Sequence, residues 1–142
     1  MSDNYPFEIA NDFTKSPNCL RKLYSYYPEF TGNTIVVYEI LLARYNSQMG
    51  YAWPTIWQIA LESAQSESGV KRQLRILKKV GLLVVRKSEV ARNNTYVPLA
   101  PISDEQEFWR KFPEAKAAYD KHRDTLKKSE KLSKGRWAAK KE

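Results

Sequence analysis

The sequence predicts a mainly α-helical fold with one small β-hairpin, which places the chain in the α+β class. Apolar residues recur every three or four positions in successive segments between Thr31 and Val80, as they do on amphipathic helices. Beyond Gly81 the pattern changes to short runs of β-branched residues separated by a turn sequence. With 142 residues, of which 42% are hydrophobic, the chain is long enough to form one domain with its own core.

The first predicted core helix follows Thr31 and ends near Gly50. Threonine is suited to cap the start of a helix, and glycine adopts the backbone conformation that commonly ends one. The apolar spacing predicts a broad buried stripe on this helix. Its members are Ile35, Tyr38, Leu41, Leu42 and Tyr45.

A short second helix is predicted from Ile56 to about Glu62. Thr55 and Gln58 have the spacing of a capping box, in which each side chain bonds to the backbone of the other residue. Ile56, Ile59 and Ala60 supply its inner face. Two large aromatic residues of this region, Trp53 and Trp57, could offer their rings for stacking on a partner, but we expect both to pack in the core.

The third predicted helix, from Glu67 to Val80, has one apolar face and one basic face. Ser66 stands at its N-cap position and Gly81 just beyond its end. At about 100° per residue, Val70, Leu74, Leu77 and Val80 share one arc. The opposite arc carries Ser68, Lys71, Arg72, Arg75, Lys78 and Lys79. A solvated helix face usually mixes charges of both signs, whereas this face does not.

A β-hairpin follows the third helix. "LLVVRK" reads as one strand, Asn93 and Asn94 as the turn signal, and "TYVPLA" as the return strand. The order is therefore helix, helix, short turn, basic helix and hairpin. That order is the one found in a winged helix-turn-helix domain.

Residues 31–99 resemble the winged helix-turn-helix domains of plasmid and phage replication proteins and of mobile-element regulators. The resemblance lies in "NSQMGYAWPT" before the second helix and "VKRQLRILKKVGLLVV" through the third. The turn between these helices departs from the pattern, because it carries Ala64 and Gln65 where such domains usually place a glycine. The resemblance implies sequence-selective binding to double-stranded DNA, in replication initiation, its control or transcriptional regulation.

A helix in the major groove must match two rows of phosphates and place side chains at base edges, and the basic arc of the third helix fits both demands. Arginine donates twice to one guanine, so Arg72 and Arg75 are the predicted base readers and Lys71, Lys78 and Lys79 the phosphate contacts. Arg92 at the hairpin tip is suited to a minor groove or the backbone. The full predicted set is Thr55, Ser66, Ser68, Lys71, Arg72, Arg75, Lys78, Lys79, Arg86, Lys87, Arg92 and Asn93.

Composition also narrows the function. A net charge of +8 favours a polyanionic partner. His122 and Cys19 are the single histidine and the single cysteine, so the chain has no ligand set for zinc. Its five glycines are isolated from one another, so it also has no Gly-rich phosphate loop. We therefore expect neither an enzyme nor a cofactor or metal. No apolar run is long enough to span a membrane and no signal peptide is evident, so we expect a cytoplasmic protein without a membrane partner.

The segments outside residues 31–100 are assigned by composition. We expect residues 1–30 to form an extension that packs on the core or on a second copy, residues 101–127 to form helices, and residues 128–142 to form a flexible basic tail. Ala115, Tyr119, His122 and Leu126 form a narrow seam that would either bind a partner protein or fold back on residues 5–30. The alternative function is a protein-interaction module whose basic surface reads no DNA.

Overall fold

The computed structural model describes residues 6–88 and 93–141, with side chains as far as Trp137. Its helices are α1 (Asn18–Lys22), α2 (Gly32–Arg44), α3 (Ile56–Ser63), α4 (Glu67–Lys79), α5 (Glu105–Lys111) and α6 (Pro113–Lys141). A 3-10 turn at Tyr24–Tyr26 follows α1, and the strands are β1 (Leu83–Lys87) and β2 (Asn94–Pro98). This is the predicted α+β, winged-helix-like fold, in which α2, α3 and α4 pack against one another in front of the hairpin.

The two strands form an antiparallel hairpin whose register runs from Leu83 opposite Pro98 to Lys87 opposite Asn94. A third extended segment joins this sheet through Ala52, which exchanges both backbone hydrogen bonds with Tyr96 at 2.8 Å. Sequence analysis missed this segment, because a single bridged residue leaves no alternating pattern. The bridge ties the chain between α2 and α3 to the wing.

The predicted end of the first core helix was wrong, because α2 stops at Arg44 rather than near Gly50. The Asn46 side chain accepts hydrogen bonds from the backbone N–H groups of Gln48 and Met49, both at 2.9 Å, and so offers them an alternative to the helix. Gly50 closes the turn with φ of 82°. Tyr45, predicted on the buried stripe, consequently lies outside the helix and is 42% exposed.

The predicted caps of the next two helices are confirmed. The Thr55 hydroxyl accepts from the backbone N–H of Gln58 at 3.0 Å, while Gln58 Oε1 accepts from the backbone N–H of Thr55 at 2.9 Å. Ser66 Oγ accepts from the backbone N–H of Gly69 at 3.0 Å. Between them Ala64 adopts the left-handed conformation, with φ of 54°, that a glycine would reach with less strain.

The prediction that Trp53 and Trp57 are core residues was wrong, since they are 48% and 62% exposed. Ala52 fills the core position beside the sheet, and alternation along extended backbone turns Trp53 to the other face. Trp57 lies two residues before the fully buried Ile59, which places it about 200° away around α3. Local geometry therefore overrides aromatic character at both positions.

Residues on both sides of the winged-helix unit complete its core. Leu20, Leu23, Tyr24, Tyr27 and Phe30 from the N-terminal part pack with Phe108, Trp109, Phe112 and Ala115 from the C-terminal part. The Tyr24 and Phe108 ring centroids are 4.7 Å apart, and the Tyr24 hydroxyl accepts from the backbone N–H of Ile102 at 2.9 Å. These segments are integral to the same core.

The seam on α6 folds back on this chain for its first two turns. The Tyr119 and His122 rings lie 5.1 and 6.0 Å from the ring of Tyr26, and Ala115 is fully buried. Leu126, by contrast, is 55% exposed, because α6 has already passed the edge of the domain there.

Helix α6 continues to Lys141, in place of the flexible tail expected from Lys128. Most of its residues beyond Lys127 favour helix, and the Lys134 and Glu130 side chains form an ion pair at 3.0 Å. From Lys121 to Trp137 every residue is exposed. Across the part of the chain that the structure describes, every helix is too short or too polar to cross a membrane.

Candidate nucleic-acid interface

Helix α4 presents the two faces that its sequence predicts. Val70, Leu74, Leu77 and Val80 are buried, and Ile76 joins them on the inner side. The outer side carries Ser68, Lys71, Arg72, Arg75, Lys78 and Lys79, all of them exposed. The apolar side holds the helix against α2 and α3, so the outer side forms a fixed surface.

The five cations of this outer side, which we call the α4 basic face, are Lys71, Arg72, Arg75, Lys78 and Lys79. Among the described residues, no carboxylate lies within 4.0 Å of any of them. The Arg44–Glu62 ion pair lies instead between α2 and α3. Because no carboxylate of the described residues neutralises these cations, they create a positive potential that attracts polyanions.

One buried polar side chain on α4 was missed by sequence analysis. Gln73 is 5% exposed and accepts a hydrogen bond through Oε1 from the Thr34 hydroxyl of α2 at 2.6 Å. Gln73 lies between Arg72 and Arg75 in sequence but on the opposite side of the helix. The bond therefore fixes the rotation of α4 about its axis. The sequence signal for it was that Gln73 is a polar residue on the apolar arc of the helix.

The predicted hydroxyl contacts at the helix starts already have structural roles. Thr55 is half-buried and caps α3, and Ser66 caps α4 while its Oγ lies 3.1 Å from Ser68 Oγ. A hydroxyl that accepts one hydrogen bond can still donate its own proton. These groups can therefore contact a phosphate oxygen without losing their caps.

The wing carries further basic residues at the end of β1 that lies away from α4. Arg86 and Lys87 are exposed at the end of β1, and Asn93 is exposed just before β2. Arg92, predicted at the hairpin tip, lies outside the described residues. The root of the wing is fixed by a hydrogen bond from the Leu82 backbone N–H to the Leu77 carbonyl at 2.9 Å.

A buried tyrosine connects α2 to the chain after the wing. The Tyr38 hydroxyl donates to the Leu99 carbonyl at 2.6 Å, and Tyr38 is 2% exposed. Burial away from water raises the pKa of Tyr38 to about 12. The hydroxyl therefore keeps its proton, and the bond, at any physiological pH.

The described residues contain no cluster of three or more histidine, cysteine, aspartate or glutamate side chains that could hold a metal ion. Cys19 is a free, half-buried thiol beside α5, and burial raises its pKa, which disfavours the reactive thiolate. The groups that the candidate interface offers to a ligand are therefore cations, hydroxyls and exposed aromatic rings.

No protein-family model and no curated protein matches this chain significantly. Among solved structures, the chain is similar to one described as the N-terminal domain of a DNA binding protein, with a TM-score of 0.54 and 16% sequence identity. The match covers 76% of this chain and 92% of that chain. At this identity the likeness shows a shared fold, and the matched share of the chain is longer than residues 31–99 alone.

Proposed function

We propose that this protein binds double-stranded DNA sequence-selectively, with α4 in the major groove and the wing on the flanking backbone. The observation that carries the proposal is the α4 basic face, in which five exposed cations have no carboxylate partner among the described residues. An isolated basic helix would attract any polyanion. A basic helix whose rotation is fixed by a packed core presents its cations at defined angles, as reading base edges requires.

The division of roles follows side-chain chemistry. Arg72 and Arg75 are proposed to donate to base edges, because the planar guanidinium matches the two acceptors of guanine. Lys71, Lys78 and Lys79 are proposed to bind phosphates, for which a flexible point charge is sufficient. Thr55, Ser66 and Ser68 would add hydroxyl contacts, and Arg86, Lys87, Arg92 and Asn93 would contact the backbone or minor groove beside the site.

Two further considerations support DNA as the partner. The structurally similar domain is described as part of a DNA binding protein. The net charge of +8 gives the long-range attraction that nucleic-acid binding uses. We propose a non-enzymatic, cofactor-free cytoplasmic protein of a plasmid, phage or integrative element. The sequence resemblance favours a role in replication initiation, its control or transcriptional regulation.

The test is selection of bound sequences from a pool of random duplexes, followed by titration of the selected duplex and a scrambled duplex at the same salt concentration. We expect enrichment of one motif and an affinity ratio of at least about 10³, the lower end for specific DNA binders. Titration at a second salt concentration would give the number of phosphates contacted. A pool that shows no enrichment while the protein remains folded would contradict sequence-selective binding and favour the protein-interaction module.

A further inference from the structure

Two aromatic side chains, the half-buried Tyr51 and the exposed Trp53, lie on the outer face of the wing sheet. The Tyr51 and Trp53 rings contact each other edge to face, with centroids 5.7 Å apart and an interplanar angle of 72°. Ala52 between them is fully buried and pairs with Tyr96 on the core side. Because neighbouring residues of extended backbone point to opposite faces, the two rings lie on the side away from the core.

Arg86 lies on the same outer face. It pairs with Thr95 across the hairpin, and Thr95 directly precedes Tyr96, the partner of Ala52. Thr95 thus lies between Trp53 and Arg86 in the sheet, which explains why it is only 8% exposed on an outward-facing position. Two strand spacings separate the backbones of Trp53 and Arg86 by about 10 Å.

This surface combines an exposed aromatic ring with a cation. Trp53 keeps 48% of its surface exposed, Arg86 is exposed, and neither β1 nor β2 contains an acidic residue. An exposed aromatic ring and a guanidinium on the same sheet face match a flat base and the phosphate of a neighbouring nucleotide. In a duplex the base faces are covered by stacking, so such a ring is available only to an unpaired base.

We propose that Tyr51, Trp53 and Arg86 form a binding surface for single-stranded DNA, with one base stacked on Trp53 and an adjacent phosphate on Arg86. The inference extends the proposed function, because the wing is fixed to the end of α4 and this surface would hold a strand opened next to the duplex site. Such a surface suits a protein that acts where DNA is melted. A wing that contacts only duplex DNA would not need it.

The experiment measures the anisotropy of two fluorescein-labelled probes, an oligothymidine of about 15 nucleotides and a duplex, each titrated with the full chain. Trp53→Ala is expected to weaken oligothymidine binding roughly 5- to 150-fold, the range for one lost stacking partner. Duplex affinity should stay within about twofold, since duplex bases do not present their faces. Trp57→Ala is the matched control, because Trp57 is 62% exposed on α3 and outside the sheet, and it should change neither affinity.

Two further variants keep the test informative if Trp53→Ala lowers the melting temperature. Trp53→Phe retains a smaller stacking ring and should weaken oligothymidine binding by less than the alanine variant. Arg86→Ala should also weaken it, by more than Arg110→Ala, which removes an exposed cation of α5 away from the wing.

Each contrary result has a distinct meaning. Failure of the wild-type chain to bind oligothymidine would contradict the proposed single-strand surface. Duplex binding is tested separately, by the titration of the duplex probe. Equal losses on both probes after Trp53→Ala would assign Trp53 to the duplex site and also contradict the single-strand surface. A wild-type dimer in light scattering that becomes monomeric after Trp53→Ala would show that the rings serve self-association instead.

Discussion

The Thr34 hydroxyl donates to Gln73 Oε1 at 2.6 Å, and this buried bond joins α2 to α4 across 39 positions of sequence. Thr34 Oγ1 also accepts from the backbone N–H of Thr31 at 3.0 Å, so the hydroxyl is used in both directions. Apolar contacts hold α4 in place but are not directional. A hydrogen bond is directional, and this one opposes rotation of the basic face relative to the rest of the domain.

We predict that Gln73→Met lowers the free energy of unfolding by about 1–3 kcal/mol, because the buried Thr34 hydroxyl loses its acceptor. Methionine keeps the volume and the apolar contacts, so a cavity does not contribute. Urea unfolding followed by circular dichroism measures the change. Gln106→Met, at an exposed position of α5, is the control and should stay within about 0.5 kcal/mol of wild type.

A double variant tests whether the cost of replacing Gln73 comes from its hydrogen bond to Thr34. Thr34→Val combined with Gln73→Met should cost less than the sum of the single variants, with a coupling of about 0.5–3 kcal/mol. Strictly additive costs would mean that the two side chains act independently. The bond would then have no role in fixing α4.

The α4 basic face should determine DNA recognition. Arg72→Ala or Arg75→Ala is expected to weaken the selected duplex by about 1–3 kcal/mol, the scale of one bidentate base contact, while the melting temperature stays unchanged because both side chains are exposed. Competition titrations with selected and scrambled duplexes give the comparison. An equal loss on both duplexes would reassign that arginine to a phosphate, and no loss for either would remove α4 from the groove.

The neighbouring Leu74 provides the matched contrast. Leu74 is 7% exposed on the inner side of α4, so Leu74→Ala should cost about 2–5 kcal/mol of stability through the cavity it leaves. DNA affinity should fall only in proportion to the unfolded fraction. Thermal unfolding that matches wild type would contradict the burial of the apolar arc and with it the assignment of the opposite face to DNA.

Features set by local chemistry were predictable from the sequence. Thr55 and Ser66 cap their helices because their hydroxyls reach backbone N–H groups within three residues, and Gly81 ends α4 with φ of 82°. The basic and apolar faces of α4 followed from the period of the helix. Each of these depends only on residues close together in the chain.

Features set by distant contacts or by competition between local structures were not predictable. Asn46 could either continue α2 or close a turn, and the two local structures compete for the same backbone N–H groups. Trp53 faces outward because Ala52 pairs with Tyr96, a partner more than 40 residues away. Gln73 needed Thr34 opposite it. In the candidate interface, therefore, the exposure of the α4 basic face was predictable, while the aromatic face of the wing was not.

A pH dependence is expected at alkaline pH from Tyr38. Its pKa is raised from 10.0 to about 12 by burial, so the folded state holds the proton more tightly than the unfolded chain. The stability that this proton contributes is complete below about pH 10 and is lost as pH rises toward about pH 12. This difference in pKa between the folded and unfolded states corresponds to a loss on the order of 2–3 kcal/mol.

Urea unfolding at about pH 9 and about pH 11.5 measures this loss, and Tyr38→Phe should reduce it because phenylalanine has no proton to release. At about pH 9 the variant should cost roughly 0.5–1.5 kcal/mol for the bond to the Leu99 carbonyl. Burial also raises the pKa values of Tyr24 and Tyr96, so a residual alkaline loss is expected. Identical pH profiles for wild type and variant would contradict the assignment to Tyr38.

The projecting part of α6 should strengthen DNA binding without distinguishing sequences. Six basic residues and two acidic residues occupy positions 128–142. As far as Lys134 and Arg136 the cations lie at different angles around the helix rather than on one face, which suits phosphates on several sides and no single docking surface. Removing residues 128–142 should therefore lower affinity equally for selected and scrambled duplexes.

The same truncation should flatten the salt dependence, since each phosphate contact contributes roughly 0.9 to the slope of log K against log salt. The melting temperature should hardly change, because residues 128–137 are exposed and contribute nothing to the core. The competing explanation is that Trp137, which is 69% exposed, docks on a partner protein. Trp137→Ala separates the two: a cationic arm keeps its DNA affinity in this variant, whereas a docking helix loses its partner. A truncated chain whose affinity and salt slope both equal those of wild type would contradict the cationic arm, because no phosphate contact would then have been lost, and would direct the search toward a protein partner.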